Sequence, residues 1–177
     1  MSEQSILKGG IAMEKEYKDD IVHDSYYLVN LFKKAGKPVT QLQIQKIMYF
    51  FEAYYMCEKN VDQLYECNFN AWMFGPVAIP LHKEYKMFEG RPIVLTEEKE
   101  NIGNQIEEEK KKIMEYIFEV FGELTPQQLV NLTHRVGSPW HTKWLENGKK
   151  VVYGSESYID KKETRKWFKE TFLDAKN

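Results

Sequence analysis

One stretch of this chain constrains its fold more than any other. A helix from Gln41 to about Glu58 carries Leu42, Ile44, Ile47, Met48, Phe51, Tyr54 and Tyr55 around more than half of its circumference. A helix apolar on one stripe lies on a core, whereas one with such wide coverage is touched from several sides. It is therefore a central helix, and the rest of the chain must wrap it. Thr40 opens it, and Gln43 three residues on completes a capping box in which each side chain satisfies an orphan amide. Gln45, Glu52 and Glu58 are the polar positions expected to face solvent or partners. With 177 residues the chain fits one domain of ordinary size, able to bury roughly two-thirds of its unfolded surface.

The surrounding elements announce their own boundaries. From about Tyr17 to Lys34, Ile21, Tyr26, Leu28, Val29 and Phe32 line a helical stripe. Lys33-Lys34 suits the negative end of that helix, Gly36 supplies a left-handed cap, and Pro38 prevents resumption. Beyond Asn60 the helical period breaks: Phe69 to Phe74 reads as extended or irregular, and Gly75-Pro76 as a turn. A short helix then starts between Pro76 and Pro80, because proline is tolerated in a first helical turn and not in an interior, and runs to about Phe88. Arg91 to Leu95 is either a short strand or a loop. Ile102, Ile106, Ile113, Ile117 and Val120 predict one long helix from Thr96 to about Phe121. Its charged run, Glu107 to Lys112, reads as a solvated surface with Glu107–Lys111 and Glu108–Lys112 pairs one turn apart. Thr125-Pro126 with Gln128 opens another helix, and Ser138-Pro139-Trp140 restarts one after Gly137. Val151 to Tyr153 reads as a short strand, and Asp160 with Glu163 caps a last helix bearing Phe168 and Phe172. Residues 1–16 read as a flexible N-terminal arm, with Met13 as an alternative start, which leaves 17–177 as the folded unit. The expectation is a mostly α, single compact multi-helix domain with at most a small β element.

Composition removes several classes of function. Lys plus Arg number 25 and Asp plus Glu 27, a balance of −2 that lacks the basic footprint of a nucleic-acid or anionic-membrane binder. No apolar run approaches the ~20 residues of a membrane span, and the start has no apolar signal core, so a cytoplasmic protein is expected. Two cysteines, Cys57 and Cys67, are too few for a disulfide scaffold or a Cys-based zinc site. Glycine-rich phosphate loops and helical His-Glu metal motifs are missing from the sequence. His82, Glu84 and His134 form a nominal metal set drawn from separated segments, but lone histidines more often pack or hydrogen-bond. Ser138 near His134 and His141 imitates a nucleophile and base, yet a serine before proline at a helix start is ordinarily a cap. No catalytic residue, metal or cofactor is therefore expected. The helix after Thr40 could be imagined reading DNA, but its Met48–Phe51–Tyr55 surface is too apolar for a groove. Aromatics make up 14 % of the chain, and any that a core of this size leaves exposed would mark a protein-binding surface.

Two segments combine chemistry with sharp turns. Phe69-Asn70-Ala71-Trp72-Met73-Phe74-Gly75-Pro76-Val77 sets a tryptophan beside a turn, and Leu132-Thr133-His134 followed by Ser138-Pro139-Trp140 sets hydrogen-bonding groups beside a second one. With Leu42-Gln43-Ile44-Gln45-Lys46-Ile47-Met48-Tyr49-Phe50, these blocks resemble in order and spacing the Panacea domain, the family of SocA-type antitoxins and GepA-like phage-associated proteins. The similarity spans about Ile21 to Phe172. It implies a mostly helical domain that neutralises a toxin encoded nearby, in some members by handing it to an ATP-dependent protease. Some members carry an additional N-terminal DNA-binding domain; residues 1–16 are too short for one, so nucleic acid is not an expected partner. The family supplies no established catalytic residue. Trp72, Gly75, Pro76, Val77, Thr133, His134, Ser138, Pro139 and Trp140 match its motifs, and each serves either the fold or a partner contact. The expected function is an antitoxin that binds its toxin directly, without catalysis. A DNA-binding regulator is the alternative, followed by a metal-dependent hydrolase.

Overall fold

In the computed structural model, residues 20–175 are described; the arm expected over residues 1–16 lies outside them. The central helix is α2 (Gln41–Lys59), and every residue from Gln43 to Ala53 is buried, polar ones included. Helix α1 (20–34) precedes it. A two-stranded antiparallel hairpin follows, β1 (Phe69–Trp72) and β2 (Gly75–Ala78), and runs directly into α3 (Ile79–Tyr85). The remaining helices are α4 (Glu97–Asn104), α5 (Glu108–Phe121), α6 (Pro126–Thr133), α7 (Pro139–Glu146) and α8 (Lys161–Phe168), the last extended by a wider π turn, Lys169–Leu173. The fold is mostly α, with this one small sheet.

Packing explains why α2 carries so little polar surface. Helices α3, α5, α6 and α8 and strand β2 all lie against it. Where α2, α5 and α8 meet, Phe50 stacks on Phe121 at 4.4 Å and meets Phe172 at 5.8 Å. Such aromatic pairs contribute about 0.5–1.5 kcal/mol beyond the area they bury. The boundaries follow local chemistry: the Thr40 amide donates to Gln43 Oε1 at 3.0 Å, and Gly36 takes φ 70° behind α1. Asp160 accepts from the Glu163 amide at 2.9 Å to cap α8.

Several expectations are corrected. The long helix predicted over Thr96 to Phe121 is two helices, α4 and α5, broken at residues 105–107. A Cβ at Gly103 would lie 2.7 Å from the Tyr26 carbonyl carbon, so α4 rests backbone-close on α1. Gly103-Asn104 is also a poor helical pair, so the chain yields there. The charged run is not wholly solvated: Lys110 is buried against Asp24, and Lys111 pairs with Glu108 at 2.8 Å rather than with Glu107. Arg91 to Leu95 is a loop, hung from Val39 by the Ile93 amide at 2.8 Å, and Val151 to Tyr153 is not a strand. Gln45 and Glu52, expected at the surface, are buried, because the hairpin covers one and the 60–68 loop the other. Glu52 accepts from the Leu64 and Tyr65 amides at 3.3 and 3.2 Å and from Lys161 at 2.5 Å.

Candidate functional site

The hairpin is held by its root. Its register pairs Phe69 with Ala78, Asn70 with Val77, Ala71 with Pro76 and Trp72 with Gly75, which leaves Met73-Phe74 as the tip. Buried Asn70 donates to the Val77 carbonyl at 3.1 Å and stiffens the ladder from within. From α2, the Gln45 side chain grips the end of β2 at both poles: it accepts from the Ala78 amide at 2.8 Å and donates to the Ala78 carbonyl at 3.1 Å. One turn's quarter further, Lys46 donates to the Pro76 carbonyl at 2.9 Å. Lys46 is wholly buried, and among the described residues it has no carboxylate within ion-pair distance. Burial alone pulls its amine down to about 7.

Gly75 is where helix and hairpin come closest. It takes φ +110°, and a Cβ there would lie 2.6 Å from Lys46 Cε and 2.8 Å from Thr133 Oγ1. The glycine is thus required twice, by conformation and by space. Thr133 closes α6, and its hydroxyl donates back to the Val130 carbonyl at 2.9 Å. Ser138 caps α7, accepting from the His141 amide at 3.1 Å while donating to the Thr133 carbonyl at 2.7 Å. Pro139 occupies the first turn of α7, where its missing amide costs nothing. Trp140 then reaches across, and its indole N–H donates to the Trp72 carbonyl at 2.8 Å. The His134 ring stacks on Trp140 with centroids 3.6 Å apart and planes 8° from parallel. His134 Nε2 is buried without a hydrogen-bond partner. Burial, then the neighbouring Lys46 charge, then His141, lower this imidazole to about 4, so it is neutral at pH 7.

All the motif positions singled out in the sequence therefore meet in two adjoining turns, Trp72–Val77 and Thr133–Trp140, locked by the Trp140–Trp72 hydrogen bond. Lys46 and Gln45, the side chains that clamp the hairpin from α2, lie in the family block Leu42–Phe50 but were not among the candidate site residues, and Gln45 was expected to face solvent or a partner. No local signal marked them: Lys46 sits in Gln43-Ile44-Gln45-Lys46-Ile47, and the groups that hold both side chains lie far along the chain, in Pro76 and Ala78. The nominal metal set is not assembled. His82 faces Gln41 at 3.1 Å, Glu84 takes the Tyr26 hydroxyl at 2.7 Å, and no three such side chains converge among the described residues. Ser138 has both its donor and acceptor roles filled, which fits a cap and not a nucleophile. Cys57 is half-buried, and burial raises its thiol.

What the site shows to solvent is apolar. Met73 and Phe74 at the hairpin tip are 57 % and 62 % exposed. Beneath them lies a groove of about 290 Å³, walled by Leu42 and Gln45 of α2, by Trp72 and Val77 of the hairpin, and by Val151. No helix among the described residues is long and apolar enough to cross a membrane. Comparison with protein families gives one match, to the antitoxin SocA-like Panacea domain over residues 44–141, which runs from α2 through the hairpin to the first turn of α7 and contains both motif turns. Searches of the curated proteins and of the solved structures return no match.

Proposed function

Because the chain belongs to the SocA-like antitoxin family through its Panacea domain, we propose that it neutralises a toxin by direct, stoichiometric binding and not by catalysis. The observation that carries this reading is the division of labour at the site. Ser138, Trp140 and the Trp72 carbonyl are occupied in joining the two motif turns, while the hairpin tip projects a pair of exposed large apolar side chains, Met73 and Phe74. Exposed apolar groups clustered beside a groove mark a docking surface, and buried aromatic anchors at such surfaces carry most of the binding free energy. Neutralisation then requires only that the complex cover the toxin's working surface.

The test is co-expression with the product of the adjacent gene, scoring growth and co-purification together. A toxic neighbour whose effect is relieved, with a complex that survives purification, is the expected outcome. Relief without a complex would replace blocking by delivery to an ATP-dependent protease. A neighbour that is harmless and does not bind would remove the antitoxin reading.

A further inference from the structure

Charge distinguishes the groove under the hairpin tip from the rest of the surface. Its walls hold Lys46 and His82 and no carboxylate. Four other cavities each carry at least two: Glu146 and Asp160 between α7 and α8, Glu100 and Glu115 between α1, α4 and α5, Glu66 and Glu84 beside β1, Asp20 and Asp24 at the start of α1. In a chain with more acidic than basic side chains, a carboxylate-free groove stands apart. The segment that supplies Val151 to its wall enters through Lys149 and Lys150, both exposed and neither in an ion pair among the described residues. Gly90 of the same wall lies between exposed Glu89 and Arg91, whose charges offset, so the face is apolar at its centre and net cationic at its edge.

Resting on the antitoxin reading, we propose that this groove seats an amphipathic acidic segment of the toxin. The apolar side chains of that segment lie against Trp72, Phe74 and Val77, and its carboxylates face Lys149 and Lys150. Apolar burial at the centre supplies the affinity, and the rim charges select an acidic partner and speed its arrival, as complementary rims generally do. A carboxylate-free floor suits such an occupant for a second reason: nothing in it repels an anion.

The proposal is tested by measuring affinity and association rate between the purified chain and the purified product of the adjacent gene. Phe74→Asp, the double variant Lys149→Glu/Lys150→Glu and a control, Val120→Asp, at a position 45 % exposed on α5 and outside both motif turns, are compared with the wild type. All four substituted positions are at the surface, and unchanged melting temperatures verify the fold. Phe74→Asp is expected to weaken binding about 100-fold, as loss of an anchor does. The charge-reversed pair is expected to slow association about 10-fold and to abolish its salt dependence, with the control within about threefold. Wild-type binding that Phe74→Asp leaves within threefold would overturn the groove and spare the antitoxin reading. Absence of wild-type binding would overturn both. A concentration-dependent dimer of the chain alone, dispersed by Phe74→Asp, would show the groove filled by a second copy and would also overturn the proposal.

Discussion

Among the described residues two lysines are buried, Lys46 and Lys110, and their surroundings differ in one respect. Lys110, where α5 meets α1, lies 3.1 Å from Asp24 Oδ2, which also takes the Tyr65 hydroxyl at 2.5 Å. Burial pulls the Lys110 amine down, but the Asp24 charge and hydrogen bond outweigh it and leave the amine raised. Lys46, under the hairpin, has a carbonyl where Lys110 has a carboxylate, and burial takes its amine down to about 7. The α1–α5 seam thus holds a paired charge, although burial keeps the Asp24 carboxyl raised in spite of Lys110. The hairpin floor does not, and it accepts a cost that a methionine of similar length would avoid. Proteins tend to tolerate such local inconsistency where function is served, and here it lies beneath an apolar face with a carboxylate-free groove.

The contrast can be broken from the paired side first. Asp24→Asn leaves Lys110 buried beside a neutral amide, and a loss of about 3 kcal/mol in urea unfolding is expected. A loss below about 1 kcal/mol would mean that Asp20, 3.7 Å from Lys110 in the native protein, takes over the pairing. Next in size, Gly75→Ala forces a side chain into φ +110° and against Lys46 and Thr133, and about 2 kcal/mol is expected to be lost. The same substitution at Gly36, where a Cβ meets nothing within 4 Å, is expected to cost about half as much, because only the conformational penalty remains.

The smallest effect sharpens the contrast by pH. The unfolded chain holds the Lys46 proton up to about its ordinary value of 10.5, whereas the folded chain releases it near 7. The unfolded state therefore binds more protons across that window, and stability rises with pH, by at most about 1.4 kcal/mol per unit. Lys46→Met removes this contribution but leaves the Pro76 carbonyl without its donor, so a net gain of about 1 kcal/mol is expected at pH 7. That advantage should shrink as pH rises toward 10.5, because the wild type sheds its penalty there. A wild-type-minus-variant difference that is flat from pH 7 to 10 would show that Lys46 stays protonated in the fold.

The parts of the fold that sequence made legible are those decided by neighbours in the chain. Thr40 with Gln43, Thr125 with Gln128, Ser138-Pro139 and Asp160 with Glu163 each start a helix where their own backbone groups need partners. The α2 stripe announced a central helix for the same reason: periodicity is local. Gln45, Lys46 and Glu52 were not legible as buried groups, because what satisfies them is more than ten residues away, in Ala78, Pro76 and Tyr65. The split of the predicted 96–121 helix had a local sign in Gly103-Asn104, but the close seat of Gly103 on α1 that accompanies it is a contact with Tyr26, far away in sequence, and was not legible. The motif residues were legible as a set, through the resemblance, but their geometry was not. That Trp140 bonds the Trp72 carbonyl, and that Met73 and Phe74 are left outside, follows only from seating the hairpin on α2, α6 and α7.

The central claim is that the root of the hairpin serves the fold while its tip and groove serve the partner. Amide hydrogen exchange of the chain, free and with the adjacent gene's product bound, tests it directly. Protection gained on binding at residues 72–75 and 149–153, with the α1–α5 seam unchanged, is the predicted result. Protection gained at α5 or α8 with the hairpin tip exchanging as in the free chain would contradict it.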